Sequence, residues 1–596
     1  MSDAALTRRL RDGFRSLLLG LGALALASLL GALLWALLLG GRGDVPDPTV
    51  LELDLERTYI ENVPRDLLSR ELHGDGPTVL DVVSALERAA GDDRVVGLVA
   101  KVGNSGMGLA RIQEIRDAVL RFRESGKPAV AWAETFGEVA PGNAAYYLAS
   151  AFDEIHLQPS GDVGLTGLRA ETPFVPDALE KLGVRVEGDQ RWEYKNAFNT
   201  FVDTAYTDAH REAVSAVVDA QFRQMVRGIA RGRGLDTAVV TELFDRGLLM
   251  GEEAVSAGLV DGTAYRDQIY ADLRDRFEGE TGLLYATRYL RRAGTPHDEG
   301  TKVALVHGTG PVLRGKSGFE WSMWSPSMGS ETVTAAFRAA IEDEDVEAVL
   351  FRVSSPGGSY VASDAIWRET VRAAREGKPV VVSMGDVAGS GGYFVAMAAE
   401  AIVAQPATVT GSIGVLNLKP VTARLWEELG IDWDAVQTSE KAEMWSRLEG
   451  FDEDEWARFQ AWLDRVYADF TAKAADGRGL DPDSLRTLAR GRIWAGEDAR
   501  RIGLVDELGG YATALDRVRQ ALELDPEAPL DLVLYPRPTP LWRRFLAEGP
   551  ASSEEEAVSA FLREVGDAGG PAARLGRQLG LIGGAGVLTM PPAPGR

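Results

Sequence analysis

The sequence predicts an α/β protein made of two tandem homologous domains behind one N-terminal transmembrane helix. Three observations carry this reading. The chain repeats itself at an offset near 247 positions, short apolar runs alternate with helical segments inside each copy, and one long uncharged apolar run lies near the amino end. A chain of 596 residues also exceeds what one hydrophobic core organises, so more than one domain is required.

The amino-terminal run comes first. Ser16 to Gly41 contains no charged residue, and its 26 residues exceed the roughly 20 needed to cross a bilayer core. It is longer than the apolar core of a cleaved signal peptide, and no small-residue cleavage site follows it. Arg8, Arg9, Arg11 and Arg15 precede it, against Asp3 and Asp12. The excess of arginine places residues 1–15 in the cytoplasm, the anchor at 16–41, and the remaining chain on the far side of the membrane. The rest of the chain is expected to be one large extracytoplasmic body.

The repeat sets the domains. Tyr146-Tyr147-Leu148-Ala149, Gln158-Pro159 and Gly164-Leu165-Thr166-Gly167 recur as Tyr393-Phe394-Val395-Ala396, Gln405-Pro406 and Gly411-Ser412-Ile413-Gly414. Gly126-Lys127-Pro128 recurs as Gly377-Lys378-Pro379, and Gly258-Leu259-Val260-Asp261 as Gly503-Leu504-Val505-Asp506. Offsets drift only from 251 to 245, which places one copy at 48–285 and the other at 300–520. In each copy apolar strands (Val95–Val102 and Val346–Val353; Ala129–Ala133 and Val380–Met384) alternate with helices near Arg111–Glu124 and Ser363–Glu376. Residues 268–300 read as the joint, and 521–596 as a Pro- and Gly-rich tail.

Bulk composition excludes several functions. A net charge of -25 argues against nucleic acid as a partner, and the absence of cysteine excludes thiolate catalysis and cysteine metal sites. No nucleotide-binding loop and no zinc-protease motif is present, so neither a cofactor nor a metal is expected.

The chemistry concentrates in the second copy. Ser390 lies in Gly389-Ser390-Gly391-Gly392-Tyr393, about thirty residues after Ser355-Pro356-Gly357-Gly358. This reads as a nucleophile at a helix start, with Gly358 and Gly391 offering backbone N–H groups to an oxyanion. Aligning the copies sets Asn143 opposite Ser390, and Ser105-Gly106-Met107 opposite Pro356-Gly357-Gly358, so only the second copy keeps the pair. The five histidines (His73, His156, His210, His297 and His307) carry no nucleophile-base signature, which leaves a lysine as the candidate base. Such a lysine must be neutral. Burial that lowers its pKa by about 3 units costs roughly 4 kcal/mol.

On these motifs the chain resembles the signal peptide peptidase A family in its long, duplicated, membrane-anchored form. More distantly it is similar to the Clp protease and crotonase superfamily. The resemblance spans about residues 50–520 and implies Clp protease/crotonase-like domains, a homotetramer, and cleavage of leftover signal peptides and other apolar peptides. It implies Ser390 as nucleophile and, through Tyr194-Lys195 followed by Phe198, Lys195 as the base supplied by the first copy. Lys441 is a rival: it lies at an offset of 246 from Lys195, within the drift between the copies, and follows Ser390 at the spacing at which single-copy relatives place the lysine. Two other functions stay open at this point: a crotonase-like acyl-CoA enzyme and a catalytically silent membrane scaffold.

Overall fold

The computed structural model describes residues 44–63, 76–138, 140–277, 281–320 and 325–537, together with 28, 29 and 31. The expected cytoplasmic stretch 1–15, the anchor at 16–41 except those three positions, His73 and the tail beyond 537 lie outside the described residues. Among the described residues no helix is long and apolar enough to cross a membrane.

The first copy runs β1 (Thr49–Leu55), α1 (Val79–Ala90), β2 (Val95–Val102), α2 (Leu109–Glu124), β3 (Ala129–Ala133), α3 (Asn143–Ala149) and β4 (Glu154–Leu157). It continues with β5 (Arg185–Arg191), the long α4 (Asp208–Arg233), β6 (Gly262–Thr263), β7 (Gly282–Tyr285) and α5 (Ala286–Ala293). Six of these strands form one parallel sheet in the order β6-β4-β3-β2-β1-β7. The sequence VVGLVAKV of β2 is apolar on both faces, as a strand covered by helices on each side requires.

The second copy runs β8 (Thr301–Thr309), α6 (Ser330–Glu342), β9 (Val346–Ser355), α7 (Tyr360–Arg375), β10 (Val380–Gly389) and the short α8 (Gly391–Phe394). Then come β11 (Ala401–Ala404), β12 (Val409–Gly411), β13 (Val415–Val421), α9 (Glu453–Arg478), β14 (Ile493–Ala495), β15 (Glu507–Leu508), α10 (Tyr511–Ala521) and β16 (Leu530–Tyr535). Its parallel run β15-β11-β10-β9-β8-β16 reproduces the first sheet strand for strand. β12 also pairs with β10 near its end, and β14 lies antiparallel to β12.

The repeated motifs are structural. Lys127 and Lys378 each donate to backbone carbonyls at the end of a preceding helix, on Ala89 and Asp92 in one copy and on Ala340, Ile341 and Asp343 in the other. Asp261 accepts from the Ile155 N–H as Asp506 does from Ile402, each at 2.7 Å. Tyr146 and Tyr393 donate their hydroxyls to Leu259 and Leu504 carbonyls.

Two expected boundaries move. The segment 268–300 is not a joint throughout, because β7 pairs with β1 in the first sheet and α5 packs back with its buried Tyr289 and Leu290, leaving 294–300 between the copies. The second sheet likewise runs past 520, since β16 pairs with Thr301–Val306 of β8. Both strands sit at sheet edges, beyond the last motif shared by the two copies.

The two copies meet along a polar seam. Arg352, fully buried in β9, donates to Glu61 at 2.8 Å, to Glu114 of α2 at 2.7 Å and to Ser383 at 2.8 Å. Burial works against its charge, but Glu114 and Glu61 outweigh it and hold the guanidinium protonated. Glu114 also accepts from the Tyr511 N–H, and Arg111 pairs with Asp386 across the same seam. Removing one partner from a buried ion cluster leaves uncompensated charge. Arg352→Met is therefore expected to lower the unfolding free energy by about 3–5 kcal/mol. The exposed Arg424→Met should cost under about 1 kcal/mol, both read from urea midpoints.

Candidate active site

Ser390 caps α8 at the end of β10, with φ 53 and ψ -118. A non-glycine residue in that region is strained by roughly 1–3 kcal/mol, and the surrounding bonds hold it there. Its N–H donates to the Gly411 carbonyl at 2.9 Å, and its carbonyl accepts from Phe394 at 2.8 Å. The result is a sharp strand-to-helix elbow that turns the hydroxyl out of the sheet.

The turn after β9 lies against this elbow. A β-carbon on Gly357 would stand 2.7 Å from both Gly391 N and Ser390 Cβ, so only glycine permits the approach. Gly358 has φ 156, and a β-carbon there would meet the Val312 carbonyl at 2.1 Å. A β-carbon on Gly391 would lie 3.0 Å from Gly358 N, so the two expected N–H groups sit side by side. Neither donates a hydrogen bond among the described residues.

Lys195 reaches this point from the other copy. β5 pairs antiparallel with β13 over seven residues, from Arg191 opposite Val415 to Arg185 opposite Val421. The ribbon carries the following loop into the second copy, where Tyr194 N donates to Arg490 O and the Gly491 backbone presses on Lys195. Lys195 is 1% exposed and Ser390 0%. Its Nζ lies 2.8 Å from Ser390 Oγ, 2.8 Å from the Ser412 carbonyl oxygen and 2.9 Å from Ser412 Oγ.

Burial pushes the Lys195 ammonium down to about 7, and no carboxylate contributes. A neutral amine has two N–H bonds and one lone pair. With Ser412 accepting both N–H bonds, the lone pair is left to face Ser390 Oγ. Lys441 is elsewhere. It is one-third exposed, pairs with Asp452 at 2.6 Å, and that hydrogen bond raises its pKa.

The first copy has a filled version of this site. Asn143 Oδ1 accepts from the N–H groups of Thr166 and Gly167, while its Nδ2 donates to the Gly167 carbonyl. Of the histidines described, none bonds to Ser390. His156 meets Glu154, His297 meets Glu87, and His210 is buried against Tyr206 and Phe174.

Ser412 is the site residue that the sequence reading missed. It follows β12 with φ 53, held by its N–H on Arg492 O at 2.7 Å. The signal was present, because the repeat alignment sets Ser412 opposite Leu165, a polar-for-apolar difference at the same locus as Ser390 and Asn143.

Fold and site together define a serine peptidase. The sequence profile of Peptidase family S49 matches residues 121–278 and 372–525, one stretch in each copy, and the chain belongs to that family. It is 30% identical to Protease 4 of Salmonella typhi over 460 residues, 75% of this chain and 72% of that one. It is 29% identical to the chloroplastic serine protease SPPA of Arabidopsis thaliana, over 76% of this chain and 67% of the relative. Protease 4 of Haemophilus influenzae matches at 29%, over 77% and 74%.

The desolvated lysine has a stability signature. Its folded pKa, about 7, lies below the ordinary 10.5, so the unfolded chain binds the extra proton between those values. Stability therefore rises with pH across that window, by about 5 kcal/mol in all. Lys195→Met, lacking the titration, is expected to unfold at a higher temperature than wild type at pH 7. The gap should close toward pH 10 in calorimetric scans.

Proposed function

We propose that the chain is a membrane-anchored endopeptidase with a Ser-Lys dyad split between its two repeats. It degrades cleaved signal peptides and other apolar peptides at the outer face of the inner membrane, as a homotetramer. The observation that carries the chemistry is the 2.8 Å contact between Lys195 Nζ and Ser390 Oγ, in a pocket whose burial pulls the lysine pKa down to about 7. The uncharged run from Ser16 to Gly41 supports the anchor. The peptide substrate and the tetramer rest on the family resemblance.

In this reading Ser390 Oγ attacks the scissile carbonyl while Lys195 takes its proton. The carbonyl oxygen becomes an oxyanion held by the Gly358 and Gly391 N–H groups. Lys195 then returns the proton to the leaving amine, and a water repeats the sequence to release the acyl group. Ser412 is a positioning residue that aims the lysine lone pair. The peptide lies extended, adding its backbone as a strand beside the glycine turn. A crotonase-like enolate chemistry needs no serine against the lysine, and a silent scaffold needs no desolvated base.

Ester-peptide hydrolysis and fluorophosphonate labelling of the full chain test this reading. Ser390→Ala and Lys195→Ala are expected to abolish both, whereas Lys441→Ala stays within about twofold of wild type, as a solvated surface charge should. Ser412→Ala should lower kcat about 100-fold with little change in KM. Full activity in Lys195→Ala would overturn the split dyad.

A further inference from the structure

The pairing of β5 with β13 joins the two copies inside one chain, and the repeat supplies a second set of the same parts. A shift of 247 positions sets 168–174 against β13 and 432–438 against β5. The local geometry agrees. The helices Pro176–Lys181 and Ala423–Glu428, which connect these stretches, start from Val175 with φ -121, ψ 11 and from Thr422 with φ -120, ψ 9. Gly183 and Gly430 follow them with φ 70 and 71.

Only one of the two sets is used inside the chain. β5 lies on β13, whereas neither 168–174 nor 432–438 pairs with any strand among the described residues. Val184, just ahead of β5, is buried in one cluster with Leu425 of the other copy, while its counterpart Ile431 is 42% exposed. A β-carbon on Gly183 would meet Leu425 N at 2.5 Å, and one on Gly430 would meet nothing within 4 Å. Every residue from 427 to 440 is exposed, Leu429, Trp433 and Val436 among them. Ile431-Asp432-Trp433-Asp434 alternates apolar and polar residues, the pattern of a strand with one covered face. Along 168–174 Arg169, Glu171 and Pro173 are exposed between half-buried neighbours, again with period two.

We infer that 432–438 of one chain adds as an antiparallel strand to 168–174 of a second copy of the same chain, repeating between chains the step that β5 and β13 make within one. The inference rests on the homotetramer proposed above and names its contact surface. The observed register, carried over, sets Ala170 opposite Val436, Glu171 opposite Ala435 and Pro173 opposite Trp433. No two like charges face each other in this register, although the chain carries -25. Pro173 fits as well, since its counterpart Pro420 already pairs with Val186 inside β13. Main-chain hydrogen bonds supply the adhesion, as in other cases of strand addition. The two surfaces belong to different copies, so the contact runs head to tail and ends when the rotation closes a ring. As β5 leads to Lys195, 432–438 leads to Lys441, and the copy it reaches holds Asn143 where the other holds Ser390. This second junction therefore carries no nucleophile.

The absence of cysteine makes a direct test possible. Full-length Glu171→Cys and Ala435→Cys chains are co-expressed, purified together in detergent, oxidised mildly and run on a non-reducing gel, with particle mass measured alongside. A rapid disulfide between the two variants is expected, because facing residues of an antiparallel pair stand about 4.5–5.5 Å apart, within disulfide reach. Glu171→Cys with Thr438→Cys, displaced by about 10 Å along the strand, should couple about tenfold more slowly or less. Val436→Pro changes a fully exposed position and removes one N–H from the ladder. It should raise the concentration at which the assembly falls apart by about tenfold. A multi-chain mass with no disulfide between Glu171→Cys and Ala435→Cys, coupling of each variant only with itself, or assembly unchanged by Val436→Pro overturns the pairing and leaves the homotetramer standing. A single-chain mass for wild type at every concentration removes the homotetramer and this pairing with it.

Discussion

The desolvation of Lys195 is the constraint on which the rest of this structure depends. A lysine in water is charged at neutral pH and cannot accept a proton from serine. Bringing its pKa to about 7 costs about 5 kcal/mol, a large share of what a domain has to spare. The cost is met by surfaces that neither repeat has alone. β5 of one copy and β13 of the other form the ribbon that delivers the lysine, and the loop around Gly491 closes over it. The buried Arg352, with Glu61 and Glu114, holds the same two bodies in register.

Duplication makes this division of labour readable. Residues common to the copies keep the fold: Lys127 and Lys378 close helix ends, and Asp261 and Asp506 anchor strand ends. Residues that differ keep the chemistry. Asn143 knots a turn with three hydrogen bonds where Ser390 leaves its hydroxyl for Lys195. Leu165 fills with carbon the place where Ser412 orients the amine.

Much of the fold was legible because buried parallel strands announce themselves as apolar runs. Val95–Val102 and Ala129–Ala133 have the observed bounds, and the paired sheets follow the repeat register. β7 and β16 were not legible, being edge strands in stretches where the copies diverge. Ser390 and the glycine turn were legible as local motifs. The choice between Lys195 and Lys441 was not a local matter. Both follow their repeat at the same spacing, and only the antiparallel pairing of β5 with β13, two strands 230 positions apart, brings Lys195 to the serine. No periodicity within either strand encodes that partner. Ser412 was hidden differently, in a motif that reads as turn chemistry until its opposite number is compared.

The most direct test is the pH dependence of Ser390 modification by a neutral fluorophosphonate, measured as a second-order rate on the assembled full chain. With the proposed dyad the rate should climb with pH and level off, half-maximal near 7, as Lys195 loses its proton. A rate that is flat between about pH 5 and 9, or one that rises only near the ordinary lysine value of 10.4, would contradict the account.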